Sequence, residues 1–392
     1  MLLIKNGYIK TMAGEDIPHG NILIKDGKIV EVGRSISIDQ NSDMEVIDAM
    51  GQLVMPGIIE PHSHIGITEE KKGMEGDDCN ETVEPITPYL RAIDGINTMD
   101  AAFHSAIRAG MTSALVGPGS SNVVGGQFAF IKLHGRVIDD MIVKAPAAMK
   151  ISFGENPKKN YGDNGKLPST RMTIAAMLRE ELFHGVNYVK KKDQALQNGE
   201  EFENDFRLEC WEPVIRGEIP LKAHVHRSDD IRTAIRIANE FGVRMTLDHC
   251  TEGHLIADEI AKSGFGAIIG PSLASRNKIE VQNASFKTAG LLNKAGVLVS
   301  LTTDHPVTLI HLLPICAGLA AKDGLGIEAA YRALTINAAI ICEVDDRVGS
   351  LEVGKDADIA IFDRNPMETF CTTLYTIIDG EVVYNYKDDE DM

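Results

Sequence analysis

Short runs of alternating apolar and polar residues occupy both ends of the chain. Near the N-terminus they predict strands at Leu2–Tyr8, Asn21–Lys25, Lys28–Val32, Val46–Asp48 and Gln52–Val54. Near the C-terminus they predict strands at Ala357–Phe362, Leu374–Ile378 and Val382–Tyr386. Asp-Gly pairs at 26–27 and 379–380 each separate two runs, which is typical of hairpin turns. Because neither end holds enough strands for its own core, we predict one small β-sandwich domain composed of 1–55 and 347–392.

The segment between these ends, 56–346, alternates short apolar strands with amphipathic helices, as βαβ units do. Eight strands are predicted, at Ile58–Glu60, Thr112–Val116, Ala129–Leu133, Ala148–Phe153, Leu221–His226, Arg244–Asp248, Ala267–Gly270 and Leu298–Thr302. Helical spacing of apolar residues is visible in Asp229–Phe241, Glu328–Leu334, Asn337–Cys342 and Arg171–Lys190. The fold class is therefore α/β, with a (β/α)8 TIM-like barrel as the catalytic domain.

Two connections are longer than a βα unit needs. Ile67–Pro88 is acidic and rich in turn-forming residues, and Asn156–Glu212 contains the polar run Lys190–Asp205. Long loops of this kind often form the walls or lids of a barrel active site. For Lys190–Asp205, an interaction surface or plain disorder explains the composition equally well.

Composition narrows the possible partners. A formal net charge of −18 argues against nucleic acid, because phosphate contacts need clustered Lys and Arg, and also against anionic membrane surfaces. The six cysteines lie far apart without a CxxC pair, which indicates reduced thiols and a cytoplasmic location. We find no apolar run of the roughly 20 residues that a membrane helix requires.

Candidate metal ligands fall at the ends of predicted strands. His62 and His64 follow the first barrel strand, and residues two apart on a strand point to the same side. His224 and His226 end the fifth strand, while His249 and Asp304 follow the sixth and eighth. A single histidine is often only a packing residue. Several at the rim where barrel active sites form predict a metal site.

Several longer motifs resemble the amidohydrolase superfamily, in the branch that includes imidazolonepropionase and the prolidase-like carboxypeptidases. They are VMPGIIEPHSHIG, AGMTSALVGPGSSNVVGGQ, PLKAHVHRSDDIRTAI, MTLDHC, LTTDHPV and VGSLEVGKDADIAIF, spread from end to end of the chain. The resemblance implies that His62 and His64 hold one metal ion and that His224 and His249 hold a second. It also implies that Asp304 binds metal and moves the proton of the attacking water. His226 would face the substrate.

A bridging anion is expected if two ions are bound. The resemblance offers Lys150, carboxylated on its amine, and the competing residue is Glu155, which is already a carboxylate. Imidazolonepropionases and the mononuclear deaminases of the superfamily carry a Glu shortly after the histidine of the fifth strand. Here His226 is followed by Arg227, Ser228 and Asp229, which favours a two-metal hydrolase.

Residues that recognise the substrate are harder to identify. Gln127, after two glycines, could approach a substrate, and Arg171 or Arg227 could clamp a carboxylate through two hydrogen bonds. A structural turn and surface ion pairs are the alternatives. Cys250 beside His249 is interpreted as a buried bystander, because metal chemistry already supplies the nucleophile.

The predicted function is hydrolysis of an amide, cyclic amide or N-acyl C–N bond of a small metabolite by one or two divalent ions. Zinc suits a set of histidines and carboxylates best. The alternatives are a prolidase-like metallo-dipeptidase or carboxypeptidase and a non-catalytic assembly module of the same fold. We expect a small-molecule substrate and a homo-oligomer.

Overall fold

The computed structural model describes residues 1–36, 44–70 and 73–389. Its strands are β1 (Leu2–Ile9), β2 (Ile17–Lys25), β3 (Lys28–Gly33), β4 (Glu45–Asp48), β5 (Leu53–Pro56), β6 (Ile58–Ser63), β7 (Met111–Val116), β8 (Val124–Lys132), β9 (Ile142–Ser152), β10 (Leu221–Val225), β11 (Met245–His249), β12 (Ala267–Ile269), β13 (Val299–Leu301), β14 (Ile359–Phe362), β15 (Thr373–Ile378) and β16 (Glu381–Asn385). Hydrogen bonds group them into two sheets of eight strands each.

The α-helices are α1 (Ala101–Arg108), α2 (Ile138–Met141), α3 (Glu155–Gly162), α4 (Arg171–Asn198), α5 (Phe206–Glu209), α6 (Glu212–Ile215), α7 (Ser228–Phe241), α8 (Ala257–Ser263), α9 (Lys287–Lys294), α10 (Leu313–Ala320), α11 (Ile327–Leu334), α12 (Ile336–Cys342) and α13 (Tyr386–Asp389). Short 3-10 turns lie at Met74–Gly76, Ala92–Asp94, Gly253–Ile256, Ile279–Val281 and Ile310–Leu312, and a π-helical turn lies at Ala321–Leu325. Within the described residues, every helix is too short or too polar to cross a membrane.

One sheet, here called the terminal sheet, combines strands from both ends of the chain, as expected from the small number of strands at each end. Its order is β16-β15-β14-β5-β1-β2-β3, and β4 also pairs with β1. The predicted β-sandwich is not confirmed, because hydrogen bonds join these strands into a single mixed sheet. Ile4, Ile22, Ile24, Ile359 and Ile377 belong to a hydrophobic cluster of its own, so strands distant in sequence share one core.

The second sheet runs β13-β12-β11-β10-β9-β8-β7-β6 and forms a nearly closed, TIM-like barrel. All eight strands were predicted, but β8 is antiparallel to both β7 and β9, which corrects the all-parallel (β/α)8 arrangement. Only residues 117–123 separate β7 from β8. A parallel crossover needs about a dozen residues or more, usually with a helix. The connection is therefore long enough only for a hairpin-like return.

The two outer strands of the barrel sheet meet without forming a regular ladder. Thr302 Oγ1 donates to the His62 carbonyl at 2.8 Å, and the His64 amide donates to the His305 carbonyl at 3.0 Å. Both bonds join the carboxyl end of β6 to the segment after β13. The side chains of His62, His64 and Asp304 are thereby brought to one place on the rim.

The connection before β10 is more regular than its composition indicates. The helix predicted at Arg171–Lys190 extends through Asn198 and ends at Gly199, whose φ of 68° is the left-handed value of a helix C-cap. Lys190–Asp205 is therefore helical over its first part, which corrects the interpretation of this run as a polar loop. Ile174, Leu178 and Leu182 bury one face of the helix.

A buried ion cluster fastens the terminal sheet to the barrel. Lys132, at the end of β8, lies 3.0 Å from Asp356, 2.7 Å from Asp358 and 3.1 Å from Asp379. Asp356 and Asp358 precede β14, and Asp379 lies in the turn before β16. Because Lys132 pairs with Ser113 near the start of β7, the cluster lies at the end of the barrel opposite the strand-end histidines.

We predict that Lys132→Met lowers the free energy of unfolding by about 3–5 kcal/mol, because it leaves buried carboxylates without their main cation. Equilibrium urea unfolding followed by circular dichroism measures this change. Lys28→Met is the matched control, since Lys28 also pairs with Asp356 but is 47% exposed. Its cost is expected at about 1 kcal/mol or less. Equal, small losses in both variants would contradict the proposed role of Lys132.

Candidate metal centre

The first group of side chains, here the β6 group, consists of His62, His64 and Asp304. Asp304 Oδ1 lies 3.3 Å from His62 Nε2 and 3.2 Å from His64 Nε2. Their ligand atoms all lie within 4.8 Å of one another, close enough to hold one metal ion. Two residues predicted from spacing and one predicted from the end of a distant strand therefore meet in space.

The second group, here the β10 group, consists of His224, His226 and His249, whose ligand atoms also lie within 4.8 Å of one another. The ring centroid of His249 lies 4.5 Å from that of His224 and 4.7 Å from that of His226. It also lies 5.0 Å from the ring of His62, so the two groups adjoin. The Nε2 atoms of His224 and His249 are buried and lack a hydrogen-bond partner. Both atoms are thus left with unused lone pairs or protons.

The other ring nitrogen of most of these histidines is held by a buried partner. His64 Nδ1 and His249 Nδ1 each lie 2.7 Å from a backbone carbonyl, of Gly117 and Gly270 respectively. A carbonyl only accepts, so each Nδ1 carries the proton and, in the neutral ring, Nε2 carries the lone pair. His226 Nδ1 lies 2.7 Å from Thr251 Oγ1. Such partners are typical of histidines that bind metals.

Asp248 holds His62 in the same way. Its Oδ2 lies 2.9 Å from His62 Nδ1, and its Oδ1 accepts from Lys222 Nζ at 3.2 Å. Burial raises the pKa of the Asp248 carboxyl, but the charges of Lys222 and His62 outweigh this and lower it overall. An ionised Asp248 therefore fixes the proton of His62 on Nδ1 and turns Nε2 toward Asp304.

The electrostatics of the β6 group favour a cation. With the proton of each histidine held on Nδ1, two lone pairs face the Asp304 carboxylate at hydrogen-bond distance. The repulsion between these lone pairs and the carboxylate must be offset either by extra protons or by a metal ion. Burial lowers the pKa of His64, but Cys79 and Asp304 raise it to about 10, so a proton is strongly held here. The same negative charges would stabilise a metal ion that replaces that proton.

The β10 group is different, because its histidines are held neutral. Burial is the largest cause, and it lowers the pKa of His224 and His249 well below the ordinary value and that of His226 to about 3. Nearby positive charges, among them that of Lys150 in the case of His224, lower these pKa values further. Neutral imidazole is the form that binds metal ions. This group can therefore accept a cation without first losing protons.

Backbone strain is concentrated at the strand ends that carry these residues. His249, Cys250 and Asp304 have φ values of 73°, 44° and 52°, in the left-handed region that residues with a side chain seldom adopt. Such conformations persist where the surrounding structure enforces them, often at functional sites. Cys250 itself is buried with a raised pKa, as expected of a bystander thiol.

The structure separates the two candidate bridging residues. Lys150, on β9, is fully buried, with Nζ 3.4 Å from His62 Nε2, and burial lowers its pKa to about 8. Glu155 begins α3, and its carboxylate belongs to neither group of ligand atoms among the described residues. Gly125 comes close to Lys150, since a Cβ there would lie 3.2 Å from Lys150 Cγ.

The predicted substrate-binding residues have partners within the protein. Gln127 Nε2 donates to the Pro88 carbonyl at 3.1 Å. It is next to Phe128, whose ring lies 5.6 Å from that of His62, and neighbouring strand residues face opposite sides. Arg171 pairs with Asp230 at 3.0 Å, and Arg227 pairs with Asp229 at 2.9 Å. Clamping a substrate would require either arginine to give up its ion pair.

Three residues at the site were not found from the sequence. Asp248 was predicted only as part of a strand. It alternates with Thr246 on that strand and directly precedes His249, and this pattern places its side chain inside the barrel. Cys79 contacts His64 from the long loop after β6. Glu280 lies in a loop after β12, with a buried Oε1 3.9 Å from His226 Nε2. No motif marks Cys79 or Glu280. Charged or polar residues in loops usually face solvent, so the sequence gives no sign that these two are buried.

Both groups suit a divalent ion. Imidazole nitrogen with carboxylate oxygen is a donor set that zinc accepts readily and that manganese or iron also accepts. Buried ligand atoms without hydrogen-bond partners are costly in a protein interior, and a bound cation would satisfy them. The residues present therefore fit the metal sites that the sequence motifs imply.

Comparisons with known proteins identify the family of this chain. The family model described as "Amidohydrolase family" matches residues 219–383. A protein of Methanosarcina mazei named 5′-deoxyadenosine deaminase is 35% identical, over 97% of this chain and 92% of its own. The amidohydrolase tasK of Hapsidospora irregularis is 26% identical over 93% of this chain, which spans only 40% of that protein.

A solved structure matches over nearly the whole chain. The crystal structure of an amidohydrolase from Thermotoga maritima is 39% identical, with a TM-score of 0.94, and the match covers 98% of this chain and 100% of the other. Together with the family model and the 35% identical relative, it confirms the resemblance found in the motifs: the chain belongs to the amidohydrolase family.

Proposed function

We propose that this protein is a metal-dependent hydrolase that cleaves a C–N bond of a small metabolite. One observation carries the proposal: Nε2 of His62 and Nε2 of His64 converge on Asp304 Oδ1, at 3.3 and 3.2 Å, beside a second group of three buried histidines. Imidazole nitrogens and a carboxylate that converge in this way form a donor set that divalent ions bind. Membership of a family of hydrolases supplies the reaction class.

The chain's own residues account for orientation and proton transfer. Divalent ions in these groups would polarise a carbonyl and lower the pKa of water toward about 7. Asp304 reaches both histidines of the β6 group through a single oxygen, so its carboxylate is placed to accept a proton during attack. It would then donate that proton to the leaving nitrogen, as a general base and then a general acid do.

Lys150 is the bridging candidate that we retain. Its amine is enclosed beside His62, and Gly125 leaves room against its side chain. The neutral amine would attack the carbon of carbon dioxide: an N–C bond forms, one C–O π bond gives its electron pair to oxygen, and the nitrogen loses one proton to water. The resulting carbamate replaces a buried cation by an anion between the β6 and β10 groups. Oxygen ligands of that kind suit hard or borderline cations.

A second candidate is deamination, the hydrolytic release of ammonia from a cyclic amidine carbon. The 35% identity to a protein named 5′-deoxyadenosine deaminase favours it. The absence of a Glu in Arg227, Ser228 and Asp229 weighs against it. A dipeptidase activity and a non-catalytic assembly role remain alternatives that the same assays test.

The proposed reaction class predicts metal-dependent turnover on at least one class in a substrate panel. The panel contains lactams, imidazolones, N-acyl amino acids, dipeptides and purine nucleosides, with mass spectrometry of the products. Chelation should abolish turnover and added zinc should restore it. Ammonia released from nucleosides alone would establish the deaminase alternative. A protein that binds no metal after growth with zinc or manganese would contradict the proposal.

Asp304→Asn should retain bound metal but lose about 100- to 10,000-fold in turnover, because an amide keeps a ligand oxygen yet cannot accept the proton. Metal content by plasma mass spectrometry and kcat are measured on the same sample. Thr303→Ser is the control, since Thr303 lies beside Asp304 and its hydroxyl serves Glu60, not the metal groups. Full turnover in Asp304→Asn would rule out the proton-transfer role.

Carboxylation of Lys150 predicts a carbamate signal in the 13C spectrum of protein equilibrated with 13C-bicarbonate, together with one added CO2 in a crystal structure. Lys150→Gln should lose that signal. The control is Lys222, a second buried lysine, which donates to the Pro61 carbonyl and to Asp248 and should stay unmodified. An unmodified Lys150 in metal-loaded protein would rule out the bridge.

A further inference from the structure

A buried carboxylate outside the predicted ligand set faces the β10 group. Glu280 lies in the short helical turn Ile279–Val281, within the loop between β12 and α9, and its side chain is 2% exposed. That loop lies at the carboxyl end of a barrel strand, on the same rim as the histidines. An acidic side chain in a surface loop normally points to water, so its burial here needs a partner.

One oxygen of Glu280 is fixed by the backbone. Its Oε2 accepts from the Glu155 amide at 2.8 Å, at the start of α3. The preceding residue, Gly154, has a φ of 84°, and a Cβ there would lie 2.6 Å from this same oxygen. The absence of a side chain at 154 therefore lets the carboxylate approach the backbone, and the amide orients it.

The other oxygen faces the histidines without a hydrogen bond. Oε1 is buried and unpartnered, 4.0 Å from His224 Nε2 and 3.9 Å from His226 Nε2. Lys278 Nζ, at 3.6 Å, is also beyond hydrogen-bond distance and donates instead to Asn156 Oδ1 at 2.6 Å. Glu280 Oε1 thus faces the Nε2 atoms of His224 and His226, but it lies beyond hydrogen-bond distance of both nitrogens.

We propose that Glu280 and His226 are metal ligands, completing with His224 and His249 a three-histidine, one-carboxylate site for the second ion. This inference rests on the proposed metal-dependent function. Two nitrogen or oxygen ligands of one zinc ion lie roughly 3 Å apart, since each is about 2.0–2.2 Å from the metal. The separations of 3.9 and 4.0 Å therefore need only a small inward movement of Glu280.

The local chemistry favours a cation over a substrate group at this point. His249 Nε2 carries a lone pair, because its Nδ1 donates to the Gly270 carbonyl. A lone pair and a carboxylate oxygen both donate electron pairs, so one cation can bind the two together. The hydrogen bond from the Glu155 amide to Oε2 is the kind of outer contact that orients metal ligands. Under this proposal His226 binds the second ion instead of facing the substrate.

The test is metal affinity, measured independently of turnover. Full-length protein stripped of metal is titrated with Zn²⁺ and with Co²⁺, following bound metal by plasma mass spectrometry and the visible absorption of Co²⁺. Glu280→Gln, which keeps an oxygen for the Glu155 amide, and His226→Asn should each weaken one of two equivalents by about 100-fold or more. Both should also change the Co²⁺ spectrum of that equivalent.

Glu252→Gln is the matched control, because Glu252 is buried and holds the same loop through Asn283 Nδ2 at 2.9 Å. It should bind both equivalents with affinities within about threefold of wild type. Unchanged binding in Glu280→Gln, or an equal loss in Glu252→Gln, would overturn the ligand role. Wild-type protein that binds no metal would instead refute the proposed function, so the two failures are distinguishable.

Discussion

A single buried carboxylate, Asp248, is the interaction on which the arrangement of the barrel interior depends. It receives Lys222 from β10 and His62 from β6, so three strands are tied together across the middle of the barrel. Burying an ion is costly unless it is fully paired, and here each oxygen of the carboxylate has a charged or polar donor. The pairing sets the tautomer of His62 and thereby turns its free nitrogen toward Asp304.

The two ends of the barrel have different tasks. At the end where the parallel strands finish, strained strand termini and buried imidazoles assemble the β6 and β10 groups. At the opposite end, Lys132 and its three aspartates connect the barrel to the terminal sheet. The ion cluster that fastens the terminal sheet to the barrel therefore lies away from the residues proposed to do chemistry.

The direction of β8 also matters for the site. Because β8 runs antiparallel between β7 and β9, residues from its first half reach the rim that carries the metal groups. Gly126 pairs with Lys150 across this ladder, and Gly125 packs against the lysine stem. Gly125 and Gly126, the two glycines before Gln127, thus allow two strands to enclose the bridging candidate.

Sequence alone predicted the positions of the strands, the family, and the strand-end histidines and aspartate as candidate site residues, with His226 assigned to the substrate. These follow from local patterns, since side chains two apart share one face and parallel strands end at one rim.

Tertiary structure decided what depends on residues far apart in the chain. The short connection at 117–123 reversed β8. Packing placed Lys150 rather than Glu155 beside His62, and Arg171 and Arg227 found carboxylates nearby. Glu280 is the clearest case. Its loop has no motif, and only the fold brings its oxygen within 4.0 Å of two histidines more than fifty residues earlier.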